Sequence, residues 1–223
     1  MIGSVQDQIK KDSKESSATR KDFIKTGFNF LEKVGKKGIR VSAIVGSTSY
    51  EPIPEDDIDI FLVTDKNLLW VIVFRSLLIR RLYRFDKICL SLFMDEGYSV
   101  EYFKNLKDKL IIADARHAII YYGDKFYSKL LSYIGDGCDD IGIFDTLENE
   151  TRNGRSSVFD YLLNFLSMII VLPPILLKGM VNSKRLEKYD QDFKVVYGWR
   201  KFYLNSKKYE NLRRAANGTD QAL

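Results

Sequence analysis

Histidine and cysteine are nearly absent from this chain of 223 residues, which holds one histidine, His117, and two cysteines, Cys89 and Cys138. A zinc site needs several Cys, His or carboxylate ligands at close spacing, and a Ser-His-Asp relay needs a histidine beside its nucleophile. Both chemistries have almost no material here. His117 lies in ADARHAII and reads as a packed or surface helix residue. Cys89 falls in an apolar run and Cys138 in the acidic stretch IGDGCDDIG, a pattern that is no disulfide framework and suits a reducing cytoplasm. The N-terminal MIGSVQDQIKKDSKESSATRKDF lacks the apolar core of a secretory signal, so no export is expected. One apolar run, residues 158–181, is nearly long enough to span a bilayer. Residues 158–181 carry Asp160 and Asn164 near the start, Lys178 near the end and Pro173-Pro174 between, and their apolar centre covers only residues 165–177. That length predicts a core helix broken or kinked at the prolines rather than a membrane span. If membrane contact is made, the basic residues after Lys184 would lie on anionic headgroups.

Apolar residues make up 45 % of the chain, enough for a real core in one large domain or two small ones, and this excludes disorder throughout. The net charge of +5 is unevenly spread: residues 184–214 contain ten Lys or Arg against four Asp or Glu. Tyr189, Phe193, Tyr197, Trp199, Phe202, Tyr203 and Tyr209 are interleaved with those charges. Such a segment can bind nucleic acid or another anionic surface. It also fits an ordinary helical pair with aromatic core faces and a wet basic rim, which is the preferred reading.

Along the chain, residues 1–18 read as a polar tail. Residues 19–34 space Phe23, Phe28, Phe30 and Leu31 as a helix that stops at Gly35. The apolar run ending at Val45 and the run ending near Val63 read as strands. Residues 67–85 then read as a mostly buried helix with arginines toward its end, and KICLSLFM, residues 87–94, as a strand. Short helices and a strand-like IIYYG follow up to Tyr133. The pattern predicts an α/β (α+β) domain over 19–135, with a small mixed sheet and helices covering one side. Residues 136–157, rich in Gly, Asp, Asn and Ser, read as a linker, 158–215 as a helical C-terminal domain and 216–223 as a tail.

The most informative stretch is VSAIVGSTSYEPIPEDDIDIFLVT. Gly46 and Ser47 close one apolar run, residues 48–56 form a polar loop, and Asp57 and Asp59 open the next run. On a strand these two acids share one face, roughly 7 Å apart, while Ile58 and Ile60 point into the core. Two carboxylates so placed can bind a divalent cation together. Glycine permits close backbone approach and a neighbouring hydroxyl adds a donor, the combination that suits phosphate groups. The alternative is a solvated acidic hairpin, since Glu51, Glu55 and Asp56 lie nearby.

The segment Ile44–Ile60 resembles the signature of the polymerase-beta-like nucleotidyltransferase superfamily: an apolar residue, Gly-Ser, a loop, then Asp-apolar-Asp-apolar. The similarity of layout extends to about Tyr133 and includes the Tyr122-Gly123 pair. The resemblance implies that Asp57 and Asp59 ligate Mg2+ and are catalytic, and that Gly46 and Ser47 receive the phosphates of a nucleoside triphosphate such as ATP. The implied activity is transfer of a nucleoside monophosphate to an acceptor with release of pyrophosphate. A small molecule, a protein or an RNA end would all serve as acceptor, and the helical C-terminal part would shape its site.

The sequence departs from the family at one point. The family usually adds a third carboxylate from the neighbouring strand, and KICLSLFM carries Cys89 and Ser91 there, both poor ligands for Mg2+. Asp86 and Asp95 flank this strand and are the candidates to replace it. This departure motivates the alternative of a catalytically impaired protein with the same fold that binds a nucleotide or a partner.

Overall fold

The six strands among the described residues all join one sheet. The computed structural model describes residues 2–50, 52–134, 158–186 and 193–206. In chain order the elements are α1 (Ile2–Val34), β1 (Ile39–Val45), a 3-10 turn (Gly46–Ser49), β2 (Ile58–Thr64), α2 (Leu69–Leu82), β3 (Ile88–Asp95), α3 (Glu96–Lys104) and α4 (Lys109–His117). They continue with β4 (Ile119–Tyr122), α5 (Asp124–Ser132), α6 (Val158–Leu186), β5 (Phe193–Tyr197) and β6 (Lys201–Ser206). The strand order is β4-β1-β2-β3-β6-β5. Only β2 and β3 are parallel, joined across α2, and every other neighbouring pair is antiparallel.

Period-two alternation along the central strands builds a core on each face of the sheet. Ile58, Ile60 and Leu62 of β2 face α1, α2 and part of α6, in a cluster with Phe30, Trp70 and Phe93. Phe61 and Val63 face the opposite side, with Val41, Ala43, Met94, Phe103 and Tyr127. Helices therefore lie on both faces, where the sequence predicts them on one. Each fully buried Ile, Leu or Phe contributes about 1.5–3 kcal/mol, so the paired clusters hold the central strands from both sides.

Several boundaries differ from those the sequence suggests. The first helix begins at Ile2, so residues 2–18 extend it and are not a separate tail. Residues 193–206 are two strands and not helix. β6 pairs with β3 through Leu92↔Tyr203, Phe93↔Phe202 and Met94↔Lys201, so residues 193–206 join the same sheet. The hairpin closes through Gly198, whose N–H donates to the Lys201 carbonyl at 2.8 Å. The linker expected over 136–157 and the tail 216–223 lie outside the described residues.

α6 runs continuously through Pro173 and Pro174, and it is not the core helix that its composition suggests. Asn164 and Val171 are buried, and Met168, Leu172 and Ile175 pack on the core edge. Most other large apolar side chains of residues 158–177 are exposed. One buried contact fastens it: the Asn164 Oδ1 accepts the Trp70 backbone N–H at 2.7 Å. The first N–H groups of a helix have no partner within it. Leu68, the N-cap of α2, offers no side-chain bond, and Asn164 supplies the cap from 94 residues away. The Trp70 indole N–H donates to the Gly198 carbonyl at 3.0 Å and its ring packs on Phe202. One tryptophan thus ties α2, α6 and the β5–β6 hairpin together. Replacing Asn164 by Ala strands a buried N–H and should lower unfolding stability in urea by about 1–3 kcal/mol; a change under about 0.5 kcal/mol would show that the cap carries nothing.

Candidate functional site

The β1–β2 register, which sets Val45 opposite Asp59, delivers the Asp59 carboxylate to the turn that follows β1. Gly46 opens that turn at φ 70°, in the left-handed region, and a methyl group at its Cα would collide with Asp59 Oδ2. Glycine is required twice over, for its conformation and for the room it leaves. The Ser49 hydroxyl donates to the Gly46 carbonyl at 2.6 Å, and Arg20 of α1 donates to the Ser49 carbonyl at 2.9 Å. The turn is thereby held from inside and from α1.

Gly46, Ser47 and Asp59 line a cleft of about 910 Å3 on the α3–α4–α5 face of the sheet. Its floor is Phe61, Cys89, Ser91 and Leu92. Its walls come from the α3–α4 connection, from α4 and from Tyr203 and Leu204 of β6. Ser91 and Leu92 both face the cleft because the β2–β3 ladder slips by one residue between Ile60 and Phe61, pairing Ile60 with Leu90 and Phe61 with Leu92. This β-bulge re-aims a side chain at the site. Cys89 stands directly beside Asp59 in the ladder, and the Cys89 thiol and Ser91 hydroxyl both hydrogen-bond to the Asp59 carboxylate.

The half-buried Asp59 has its pKa pushed up from 3.8 to about 6, first by burial and then by the neighbouring charges of Asp57 and Asp114, against the bonds from Cys89 and Ser91. Burial and the adjacent acids likewise push up the Cys89 thiol, which stays protonated and acts as a donor. Asp57 stands just before β2, at the exposed rim, and is not among the cleft-lining residues. Burial raises its pKa, Arg80 lowers it, Asp56 raises it and Lys87 lowers it. The two acids of the motif are therefore electrostatic neighbours, one lining the cleft and one exposed outside its lining. No described ion pair plugs either of them.

Neither flanking acid of β3 completes the site. Asp95 lies opposite Thr64, at the far end of the β2–β3 ladder from Asp59. There it accepts the Tyr98 N–H at 2.6 Å as the N-cap of α3 and pairs with Arg200 at 3.1 Å. Asp86 is exposed in the turn before β3, its carbonyl accepting from Arg80 at 3.3 Å. Asp114 on α4 does reach the cleft. The Tyr50 hydroxyl bonds to it, and burial together with Asp114 pushes the Tyr50 pKa up to about 12. The Tyr50 ring packs 4.6 Å from the exposed His117, which closes α4. Nothing local in the sequence marks Asp114, because a helix more than fifty residues along brings it in. Asp108, the N-cap of α4, and Lys107 also line the cleft.

Among the described residues, no three His, Cys, Asp or Glu side chains converge as a metal cage. Mg2+ does not require one, since it keeps several waters and commonly takes one or two carboxylates together with substrate phosphates. The donor set fits a single cation that enters with a polyphosphate and does not fit a resident two-metal centre. Of the basic aromatic segment, Trp199 donates to Asn67 Oδ1 at 3.0 Å and stacks on Tyr161, and Phe202 is buried, so these rings serve packing. Tyr203 lines the cleft. Neither a protein-family model, nor a curated protein, nor a solved structure matches this chain.

The Asp59 shift gives a pH dependence with a definite sign. Its folded pKa lies above the unfolded value, so protonated Asp59 favours the folded state, and stability falls as pH rises from about 4 to about 6. In metal-free protein Asp59→Asn should be more stable than the parent by on the order of 2–3 kcal/mol at pH 7.5 and equal to it below pH 4. Urea melts at both pH values check this, and a variant less stable at pH 7.5 would contradict it.

Proposed function

We propose that the cleft is the nucleotide site of a metal-dependent nucleotidyltransferase with a sheet of the polymerase-beta-like type. The observation that carries the reading is the Gly46-Ser47 turn folded directly against the Asp59 carboxylate at the edge of a large cleft. In the reaction, an acceptor hydroxyl oxygen bonds to the α-phosphorus of a nucleoside triphosphate. The bond from that phosphorus to the α–β bridging oxygen breaks, pyrophosphate leaves and the hydroxyl proton passes to water. Bound Mg2+ would neutralise the polyphosphate and stabilise the charge that develops on it.

The chain's own residues supply placement. The Gly46-Ser47 turn offers a hydroxyl and a backbone unobstructed by a side chain, where terminal phosphates approach closely. Asp59, with Asp57 as its electrostatic neighbour, would hold the cation. Loading a cation at Asp59 requires release of the proton favoured by burial, so affinity should rise with pH through about 6. The apolar walls, with Phe61, Tyr102, Phe103 and Tyr203, provide surface for a base or for an acceptor with an apolar body. A small molecule, a protein side chain and an RNA end all remain acceptors consistent with this wall.

A second reading is a nucleotide-binding or partner-binding protein of the same fold with weakened catalysis. It is favoured by Cys89 and Ser91, which donate to Asp59 where a third carboxylate would otherwise stand. Calorimetric titration with each common nucleoside triphosphate and Mg2+, paired with transfer of α-phosphate label into a cell extract, separates the two. Active transfer is expected, with Mg2+-dependent binding lost in Asp59→Asn and weakened about tenfold in Ser47→Ala, the loss of one hydrogen bond to a charged group. Tight Mg2+-dependent binding without label transfer supports the second reading, and unaltered binding in Asp59→Asn removes both.

A further inference from the structure

The helix α6 presents a feature the cleft does not use. Residues 161–177 contain no charged side chain, and the stretch Val158–Leu177 is long and apolar enough to cross a bilayer, with 11 % of it buried. Asn164, Met168, Val171, Leu172 and Ile175 form the stripe that meets the domain. The remaining faces are apolar too, and Leu162, Phe165, Leu166, Ile169 and Ile170 are each 46–59 % exposed. A helix that is apolar all round belongs in a protein core or in lipid. Soluble monomers rarely expose contiguous apolar patches beyond a few hundred Å2. α2, packed against α6, exposes a second apolar stripe of Phe74, Leu78 and Leu82.

Topology decides how such a helix can meet a bilayer. β3 precedes α6 and β6 follows it, and the two are hydrogen-bonded neighbours in one sheet. The start of α6 is fastened by Asn164 to Trp70 and by Tyr161 to Trp199, and Val171 further along is in the core. Both flanks stay on one side, so the helix lies along the domain and cannot cross. A helix of this kind sits in the plane of the interface, with its apolar face about 5–10 Å into the headgroup–acyl boundary.

Charge identifies the occupant. Exposed Arg81 and Arg84 flank Leu82 and Tyr83 at the end of α2. By sequence, Lys178, Lys184 and Arg185 follow the apolar part of α6, at the start of the stretch with the excess of basic residues. A second copy of the chain on a symmetric interface would set these cations against themselves, whereas an anionic bilayer meets them with opposite charge. We propose that α6 and the exposed stripe of α2 form a one-sided membrane-docking face that seats the protein on anionic lipid. The α6 face is on the opposite side of the sheet from the cleft, so docking leaves the cleft open to solvent. The inference is independent of the chemistry assigned to the cleft.

Flotation of the full chain with vesicles of phosphatidylcholine containing about 30 % phosphatidylglycerol tests it. The parent should float with these vesicles, and the double variant Leu166→Glu/Ile170→Glu should bind at least about tenfold more weakly with an unchanged thermal unfolding midpoint, since both side chains are exposed. Arg81→Glu/Arg84→Glu, or 0.5 M salt, which shortens the screening length about twofold from its value at 0.1 M, should weaken binding severalfold and leave the fold intact. Absence of the parent from the floating fraction overturns the proposal. So does a concentration-dependent dimer in sedimentation velocity that Leu166→Glu/Ile170→Glu abolishes, which assigns the face to a second copy. Equal flotation on pure phosphatidylcholine overturns the role given to the cations.

Discussion

The opposition of Val45 and Asp59 across the β1–β2 ladder is the constraint on which the site depends. It brings a carboxylate against a backbone turn that only glycine can form without collision. A one-residue slip of this register would send Asp59 to the other face, among Ile58, Ile60 and Leu62. The two apolar clusters prevent that slip. β2 presents isoleucines and leucine to one side and Phe61 and Val63 to the other, and both sets are packed. The stability of the sheet and the position of the acid are therefore one property.

Burial has opposite consequences at the two ends of β3. At its C-terminal end Asp95 caps α3 and pairs with Arg200, a structural acid in a structural role. Near its start, Asp59 is surrounded by other acids and by the hydroxyl and thiol of Ser91 and Cys89, and its charge is disfavoured. An acid held at a cost, in a cleft, beside a glycine turn, is the arrangement on which the proposed cation site rests. The sheet separates this cleft from the apolar helix α6, so the proposed chemistry and the proposed docking face lie on different sides.

The strand–turn–strand motif was legible in the sequence because everything that defines it is local: alternation, a Gly-Ser pair and two acids two residues apart. Helix α2 and strands β3 and β4 were legible for the same reason. Asp114 was not, since its approach to Asp59 depends on how α4 lies across the sheet. The β5–β6 hairpin was obscured differently. Val195, Val196, Tyr197, Phe202 and Tyr203 favour strands around a Gly198-Trp199-Arg200 turn, but the interleaved lysines and arginines hide the period of two and read as helical faces. For α6, composition is the same whether the helix is covered or bare. Only the contacts made by Asn164 and Val171 show that one side alone is occupied.

The central proposal is that a polyphosphate-bound cation is held at Asp59, beside the Gly46 turn. Its most direct test is paramagnetic: Mn2+ with a nucleoside triphosphate, added to isotope-labelled protein, broadens amide resonances near the cation. The account predicts selective loss of the Gly46, Ser47, Ile58 and Asp59 signals while those of Asp95, Glu96 and Gly123 persist. Broadening centred on Arg40, Asp65 and Glu96 at the opposite end of the sheet, or none that depends on the nucleotide, would contradict it.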